Sequence, residues 1–557
     1  MKILQYALLL ICFVPLFAAA QQKTITGKVT DAQSSQPLSG VTVASGTGRT
    51  SVVTNNEGNY SITIPQRATQ LIFSYVGMKP VTENIGTRSV IDVSMSAADS
   101  SLENVVVVGY GTQKKATLTG SVSVLKSSEI VVTKNESVVN MLTGKIPGLR
   151  MVQRTAEPGG YENTYDIRGF GSAPLVVIDG VPRGGFEKMD PNEIESISVL
   201  KDAAAAVYGV RAANGVILIT TKKGNRNGKF DINYSVNLAL QQFLGMPEGV
   251  GPLDFMMLSN EKAKRAFANN FISNVKPAYS YEDMLPWMEG RFQATDWIGS
   301  TFNKTAPQVQ HNLNISGGTD KASYFFNVGY MKQDGVLKTN DINYNRYNFR
   351  SNINLKITNG LRAQALVSGH IDEKYQPYQE MWTLFKYTWS MIPIKQAFAN
   401  GNPLYPSVID DNANPLVITD ADKVGFRKRT QKNIQAQLSL EYDIPYVKGL
   451  KARGMFNYGY NIDDNSEYKK SYTLYTYEPD LDVYHASTVN NPPNLLRQYY
   501  NNQSTLSQLG LNYANTFAGD HNVTAMALFE ESYSKGDNIF ASRNMLLPRG
   551  LFVRWRR

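Results

Sequence analysis

The side chains that most often carry catalysis or bind metals are few in this chain and poorly spaced for either task. The histidines are far apart, and none has the paired spacing of a zinc peptidase: His311, His370, His485 and His521. Asp463 and Asp464 form an acidic pair, but a glycosidase needs two carboxylates placed on either side of a sugar bond. We find no phosphate-binding loop, three-glycine nucleotide fingerprint or nucleophile elbow. The sequence therefore predicts no enzyme, with no catalytic residue, cofactor or metal site.

Composition separates the chain from two broad classes of protein. It has 557 residues, of which 42% are apolar and 18% charged, and it contains 31 Tyr and 23 Phe. Beyond the N-terminus no apolar run is long enough for a transmembrane helix. The net charge of +9 is spread along the chain, so we predict no nucleic-acid partner. Few charges together with many aromatics are typical of a β-barrel whose strands alternate lipid-facing and water-facing residues.

Residues 1–20 have the features of a cleaved secretory signal. Lys2 supplies a positive start, Leu8–Phe17 an apolar core and Ala18–Ala20 the small residues before cleavage at Gln21. The only cysteine, Cys12, lies inside this segment, so the exported chain is predicted to contain no disulfide. Sheet pairing and burial of a core must then supply its stability.

Residues 21–97 are predicted to form a small antiparallel β-sandwich, because short alternating segments recur between turn-forming residues. One break, Asn55–Gly58, is interpreted as a hairpin turn since it lacks the ligand spacing of a calcium loop. Residues 98–114 form a polar linker that contains Val105–Val108 next to flexible glycines. Such a valine run is either a buried strand or an edge strand without a partner, and the residues alone favour the buried strand.

Residues 115–228 are predicted to form a small mixed α/β unit. Leu175–Ile178 is a predicted strand that ends at an Asp179–Gly180 turn. Asp190 followed by Pro191 is typical of the start of a helix, since Asp caps free N–H groups and Pro suits the first position. A further strand is predicted at 216–220.

Residues 229–557 repeat segments of about ten residues in which polar and apolar side chains alternate. Short turns separate some segments and long polar stretches separate others, which is typical of an outer-membrane barrel. The alternative is an array of soluble β-sandwiches. His311 and His370 lie inside such segments, where we expect both side chains to face the lumen. The segment at 471–477 is the weakest of the set.

Several phrases, taken in order, resemble the SusC/RagA-type TonB-linked outer-membrane transporters. "ITGKVTD" and "TNNEGNYSITIP" are similar to the carboxypeptidase-regulatory-like domain. "ENVVVVGYGTQKK", "DIRGFGS", "PLVVIDGVP" and "IESISVLKDAAAAVYGVRAANGVILITTKKG" follow, ahead of the alternating strands. The resemblance covers nearly the whole chain. It implies a mainly β fold: an N-terminal Greek-key sandwich, a small α/β plug and an antiparallel transmembrane β-barrel, here incomplete.

The resemblance also implies sites and partners. The valine run becomes a TonB box, which is offered to TonB by strand addition, rather than a buried strand. The implied box consists of Glu103, Asn104, Val105, Val106, Val107, Val108 and Gly109. The implied plug residues are Arg168, Gly169, Asp179 and Gly180. Arg168 is expected to serve the plug's own hydrogen bonds, with substrate binding as the alternative. The expected partners are TonB, a SusD-like surface lipoprotein, outer-membrane lipid and a glycan or peptide substrate.

The chain departs from this family at its end. Residues 229–557 hold about ten strands, where a wide plugged barrel has roughly 22. Four arginines occupy the last nine residues, although arginine is costly on a lipid-facing strand. We therefore expect a truncated product of a transporter gene that itself does not work. The function implied for the intact protein is TonB-dependent import of a large nutrient across the outer membrane. The rival interpretations are a passive porin or adhesin barrel and a secreted enzyme with an accessory sandwich.

Overall fold

The computed structural model describes residues 22–96, 105–108, 111–114, 122–536, 542–546 and 552–554, apart from 33, 47–49, 66–67, 76, 133–134, 161–162, 170, 227, 247, 269–275, 410–412, 491 and 518–520. The predicted signal peptide and most of the arginine-rich end lie outside the described residues. The chain forms two compact units, 1–106 with 113–117 and 107–112 with 118–557.

Two small sheets that share one core form the N-terminal unit. Their strands are β1 (Gln22–Asp31), β2 (Thr42–Ser45), β3 (Ser51–Val53), β4 (Asn59–Pro65), β5 (Gln70–Ser74), β6 (Val81–Asn84) and β7 (Val93–Met95). The orders are β4-β1-β7 and β3-β2-β5-β6. Alternate residues point inward, as in β4, where Tyr60, Ile62 and Ile64 are buried. The predicted sandwich is confirmed, although β7 pairs with β1 in parallel and not antiparallel.

The turn before β4 is held by an asparagine side chain. Asn55 Oδ1 accepts the N–H groups of Glu57 at 3.1 Å and Asn59 at 2.8 Å. Asparagine often closes a turn in this way, so the oxygen that a calcium ion would use is already occupied by backbone donors. Within the described residues no cluster of acidic, histidine or cysteine side chains could hold a metal ion.

The valine run forms strand β8 (Val105–Val108), which makes a two-stranded sheet with β9 (Gly111–Lys114). Glu103, Asn104 and Gly109, the other residues of the predicted TonB box, lie outside the described residues.

The plug, which we define as residues 122–226, is built on a five-stranded mixed sheet of order β10-β15-β16-β13-β14. The plug as a whole contains β10 (Val122–Lys126), β11 (Leu149–Gln153), β12 (Asn163–Ile167), β13 (Leu175–Ile178), β14 (Val181–Arg183), β15 (Ile194–Leu200) and β16 (Val216–Thr221), of which β11 and β12 pair with each other outside the five-stranded sheet. Its helices are α1 (Ser127–Ile130), α2 (Val138–Met141) and 3-10 segments at Pro191–Glu193 and Asp202–Ala212. As predicted, Asp190 caps a helical start, accepting the N–H of Asn192 at 2.8 Å.

A single antiparallel sheet, which we call the wall, follows the plug. Its strands are β17 (Asp231–Gln242), β18 (Thr305–Gly318), β19 (Ala322–Asp334), β20 (Asn343–Lys356), β21 (Leu361–Pro377), β22 (Gly425–Asp443), β23 (Leu450–Lys469), β26 (Asn494–Phe517), β27 (His521–Gly536), β28 (Ser542–Leu546) and β29 (Phe552–Arg554). Each strand pairs with the next, and β28 and β29 both pair with β27. The weak segment at 471–477 is not in the wall, because β24 (Tyr472–Glu478) pairs with β25 (Val483–Val489) in a separate hairpin and forms one further bridge, from Tyr475 to Ser407.

The two faces of the wall have opposite chemistry. Alternate residues on the side that contacts the plug are mostly amides and are buried, among them Asn312, Asn327, Asn352, Gln437 and Gln508. The residues between them are apolar and exposed, including Val328, Leu438, Leu440, Phe456 and Leu509. A soluble sheet would bury its apolar face, so this reversed pattern indicates an outer face that contacts lipid.

One predicted orientation is wrong. His370 faces the plug side of the wall, as expected, but His311 is on the opposite face. Its ring Nδ1 lies 2.8 Å from the hydroxyl of Tyr234, and its ring stacks beside Tyr234 and Tyr330. Tyr330 in turn stacks on Tyr347 with ring centroids 5.0 Å apart. Because side chains alternate strictly along a strand, the neighbouring Asn312 takes the inward position.

Long connections lie at one end of the wall and short turns at the other. The long ones span 243–304, 378–424 and 470–493, whereas three short ones span 319–321, 357–360 and 444–449. The long connections carry α3 (Pro252–Ala268), α4 (Tyr281–Met288), α5 (Trp297–Thr301), α6 (Met381–Ser390), a 3-10 segment at Ala399–Gly401, α7 (Pro415–Ile418) and α8 (Ala421–Val424). These loops share an apolar core that includes Phe302, Leu384 and Leu474.

None of the helices in the described part of the chain is both long and apolar enough to cross a membrane.

Candidate functional site

The surface between the plug and the wall is the candidate site, because buried polar side chains from distant parts of the sequence meet there. The plug has its own apolar core of 17 buried residues. Its apolar contacts with the wall include two smaller clusters: Val181 with Met455 and Leu506, and a set of seven plug residues against which Met526 and Leu528 pack. Much of the rest of this surface consists of hydrogen bonds and ion pairs.

The Asp179–Gly180 turn brings the plug sheet to the wall. Both residues have positive φ, 49° and 89°, as a tight two-residue hairpin requires. Gln437 Nε2 donates to Asp179 O at 3.2 Å, and Gln508 Nε2 donates to Gly180 O at 3.4 Å. The Asp179 carboxylate accepts Thr221 N at 3.0 Å and Thr221 Oγ1 at 2.7 Å. The turn is therefore fixed to β16 through its side chain and to β22 and β26 through its carbonyls.

A buried arginine of the wall holds two plug carboxylates. Arg350 Nε lies 2.8 Å from Glu193 Oε2, and Arg350 Nη1 lies 3.5 Å from Asp179 Oδ2. Burial raises the pKa of Glu193 to about 7; the charge of Arg350 opposes this shift and that of Asp190 adds to it. An ion pair in such a dry position costs desolvation energy, so its contribution depends on both partners staying in place.

Further polar links join the plug to other wall strands. Lys188 of the plug pairs with Asp372 at 2.7 Å, and Arg211 pairs with Glu530 at 2.6 Å. One link has the reverse polarity, with Lys374 of the wall 2.6 Å from a plug glutamate, Glu157. Cations and anions therefore lie on both the plug and the wall. This arrangement favours one position of the plug on the wall as well as contributing to its binding there.

Wall amides bind the plug backbone directly. Asn352 Nδ2 donates to Lys222 O at 2.7 Å, and Asn348 Nδ2 donates to Lys188 O at 2.8 Å. A cavity of about 490 Å³ remains between the 178–189 segment of the plug and the wall. Its lining includes the amides Asn433, Gln435 and Asn461. The surface is thus polar and incompletely packed, unlike the plug's own core.

The other plug residues expected from the sequence lie in a different turn. Arg168 and Gly169 follow β12 and have positive φ of 58° and 79°. The Arg168 N–H donates to Gly148 O at 2.8 Å, and its side chain is exposed. Whether that side chain serves the plug or a substrate stays a prediction.

The acidic pair noted in the sequence does not form a joint site. Asp463 lies 2.9 Å from Arg429 Nε, whereas Asp464 lies 2.9 Å from Arg497 Nη2. Adjacent residues of a strand point to opposite faces, so the two carboxylates cannot act on one bond.

Sequence reasoning missed the wall residues that hold the plug. Arg350, Gln437 and Gln508 have no motif of their own. Their signal is periodic: inward positions of β20 read Arg346, Asn348, Arg350, Asn352 and Asn354 at every second residue. That pattern identifies the polar face, although it does not identify which plug atom each side chain contacts.

Two family models match the chain. The TonB-dependent Receptor Plug Domain matches residues 114–216, and the CarboxypepD_reg-like domain matches residues 25–108. Among curated relatives, the TonB-dependent receptor SusC of Bacteroides thetaiotaomicron is 28% identical over 475 residues, 79% of this chain and 44% of the relative. TonB-dependent receptor P3 of Formosa agariphila is 27% identical over 536 residues, 94% of this chain and 49% of the relative.

A solved structure has the same fold. The RagAB peptide importer in its open-open state gives a TM-score of 0.58 at 24% identity, over 81% of this chain and 53% of that one. The chain spans less than half the length of the curated relatives described above. Homologues of this kind are receptors and transporters, not enzymes, in agreement with the prediction from the sequence. By its two matched domains, their order and these relatives, the chain is similar to the SusC/RagA-type TonB-dependent receptors over most of its length.

Proposed function

We propose that the protein takes part in TonB-dependent import of a large nutrient across the bacterial outer membrane. The observation that carries this proposal is the polar surface between plug and wall. A surface made of hydrogen bonds and ion pairs can exchange its partners for water when the plug moves, whereas an apolar core cannot. The plug's own core of 17 residues lets it move as a folded body.

The coupling element in this proposal is the β8 strand, Val105–Val108, within the proposed TonB box 103–109. TonB would pair with this segment edge to edge, so main-chain hydrogen bonds supply the grip and alternate side chains the selectivity. The strand precedes the plug in the chain, and only β9 is described between them. A pull along it would therefore reach the plug first at β10, the edge strand of the plug sheet.

The proposed cargo is an oligosaccharide or a peptide, delivered with the help of a SusD-like surface lipoprotein. The inner face of the wall is lined with amides, which donate and accept hydrogen bonds to hydroxyl and peptide groups alike. The relative with the same fold is described as a peptide importer. The long connections at one end of the wall would face the outside and the lipoprotein.

A passive pore is the weaker proposal for this chain. The plug occupies the inner face of the wall and is bound to β18, β20, β21, β22, β26 and β27. A channel that is open without energy has no need of an insert bound in this way.

The test is the effect of Val106→Pro on binding of the purified periplasmic domain of TonB. The protein is prepared from outer membranes, and affinity is measured by calorimetry. Proline removes one backbone donor and prevents strand pairing, so we expect binding to be lost. Val106→Thr keeps the β-branched shape and the N–H group and serves as the control. Binding of the proline variant at the wild-type affinity, or no binding of the wild type, would contradict the proposal.

A further inference from the structure

Among the residues that the structure describes, one plug cation at the wall has no ion-pair partner. Arg183, the last residue of β14, donates through Nη1 to Gln435 Oε1 and through Nη2 to Asn457 Oδ1 at 3.3 Å. Within the described part of the chain it forms no ion pair. Two other plug cations on this surface, Lys188 and Arg211, each have a carboxylate 2.6–2.7 Å away. Neutral amide oxygens satisfy the hydrogen bonds of a guanidinium but leave its charge uncompensated.

The environment of Arg183 makes that lack of a counter-ion costly. Burial lowers the pKa of Arg183 to about 10, and the charge of Arg350 lowers it further, while Asp179 opposes the shift. Both Arg350 and Asp179 are already engaged with each other and with Glu193 and Thr221. A cation in this position is stabilised by any anion that can approach it.

Space for such an anion is present in two cavities that Arg183 lines. Arg183 lines the cavity of about 490 Å³ and also a second cavity of about 200 Å³. The second cavity is bounded by Arg211 and by Ser504 and Ser532 of the wall, whose hydroxyl groups can donate hydrogen bonds.

The acidic groups of the larger cavity are occupied elsewhere. Asp179 and Glu193 contact Arg350. Burial raises the pKa of Glu187, which hydrogen-bonds to its own backbone and to Tyr165. The Tyr165 hydroxyl and backbone N–H groups engage the Glu187 carboxyl, so the acidic groups of this cavity have partners other than Arg183.

We propose that Arg183, with the amides of Gln435 and Asn457, is a binding site for a carboxylate group of the transported molecule. The planar fork of a guanidinium matches a carboxylate in two parallel hydrogen bonds, and the amides and hydroxyls around it supply further donors. That the ligand is a transported molecule rests on the import function proposed above, whereas binding of a carboxylate at Arg183 does not. The carboxylate belongs either to an acidic saccharide or to a peptide C-terminus.

The experiment measures equilibrium binding in the absence of TonB and of any energy source. Its result therefore does not depend on whether the protein can import the ligand. The chain, purified from outer membranes in detergent, is titrated by calorimetry with trigalacturonate and with trialanine. Maltotriose and trialanine amide are the matched neutral probes. We expect at least one acidic probe to bind more tightly than its neutral counterpart. Absence of any such preference overturns the proposal.

Arg183→Gln is the first variant. It should weaken binding of the preferred acidic probe at least about tenfold, because glutamine keeps an amide donor but loses the charge and the second parallel hydrogen bond, and it should leave the neutral probes unchanged. Arg497→Gln, which removes an exposed arginine paired with Asp464, is the control and should change neither. Equal binding of the acidic probe to Arg183→Gln and wild type overturns the proposal.

Gln435→Glu is the second variant and covers the case in which the first does not fold. It places a carboxylate of the protein itself beside Arg183, and this carboxylate would occupy the site in place of the ligand. We expect the acidic probe to lose its binding while the unfolding temperature stays the same or rises. Wild-type affinity for the acidic probe in a folded Gln435→Glu protein overturns the proposal.

Discussion

At the scale of single residues, the Arg350–Glu193 pair links the plug to the wall through a carboxyl group with a shifted pKa. The folded-state pKa of Glu193 is raised to about 7, above the value of an unfolded chain. A carboxyl group with a raised pKa binds its proton more tightly when folded. Its contribution to stability is therefore greatest below the unfolded value and declines as pH rises through about 7.

This relation gives a prediction for Glu193→Gln. Between the pKa of Glu193 in the unfolded chain and about pH 7, the unfolding free energy of the wild type should fall by at most about 1.4 kcal/mol per pH unit. The variant should not show this fall. The measurement is the unfolding free energy of wild type and variant in detergent at a series of pH values. Glu289→Gln, at an exposed pair with Arg291, is the control and should follow the wild type. Parallel curves for Glu193→Gln and wild type would contradict the assignment.

At the scale of elements, the N-terminal sandwich depends on its own core. Phe73 of β5 is fully buried, and its ring lies 5.4 Å from that of Tyr60, edge to face. The core draws on both small sheets. A unit that closes its own core in this way is expected to fold without the rest of the chain.

Residues 21–97, expressed alone, should therefore melt cooperatively, and Phe73→Ala should lower their unfolding free energy by about 3–5 kcal/mol. Val53→Ala removes an exposed side chain of the same sandwich and should cost little. Chemical denaturation followed by circular dichroism measures both. A broad, non-cooperative transition of the wild-type fragment would contradict an independent domain.

The elements differ in how far the sequence could predict them. The wall strands were predictable because side chains alternate along them, and the Asp179–Gly180 turn because two successive positive φ values favour that pair of residues. The orientation of His311 was not predictable, because a polar residue can lie on the outer face when a neighbour such as Tyr234 forms a hydrogen bond with it. Contacts such as Gln437 to Asp179 could not be predicted, because they join residues 258 positions apart through the register of several strands.

At the scale of the whole molecule, the apolar outer face of the wall predicts that this face contacts lipid and not water. Val328 lies in the middle of β19, exposed, between Leu313 of β18 and Phe349 of β20 on the same face. An ion at this position must leave water if the face contacts lipid. The same ion would be harmless if the face were in water.

Val328→Arg should therefore reduce the amount of protein in the outer membrane, at a cost of about 2–4 kcal/mol to the inserted state. Val328→Leu, which keeps the side chain apolar, should insert normally. Membrane fractionation with heat modifiability on gels gives the readout. Equal insertion of the arginine variant would show that this face does not contact lipid.

The amides that hold the Asp179–Gly180 turn have a consequence for repeated use. Gln437 and Gln508 are fixed by the backbone pairing of β22 and β26, which does not depend on the plug. If the plug is displaced as proposed above, these donors keep their positions and spacing along the wall. In the proposed import function, the wall would then act as a template for the resting position of the plug, and the plug could return to it without any part of the wall having to refold.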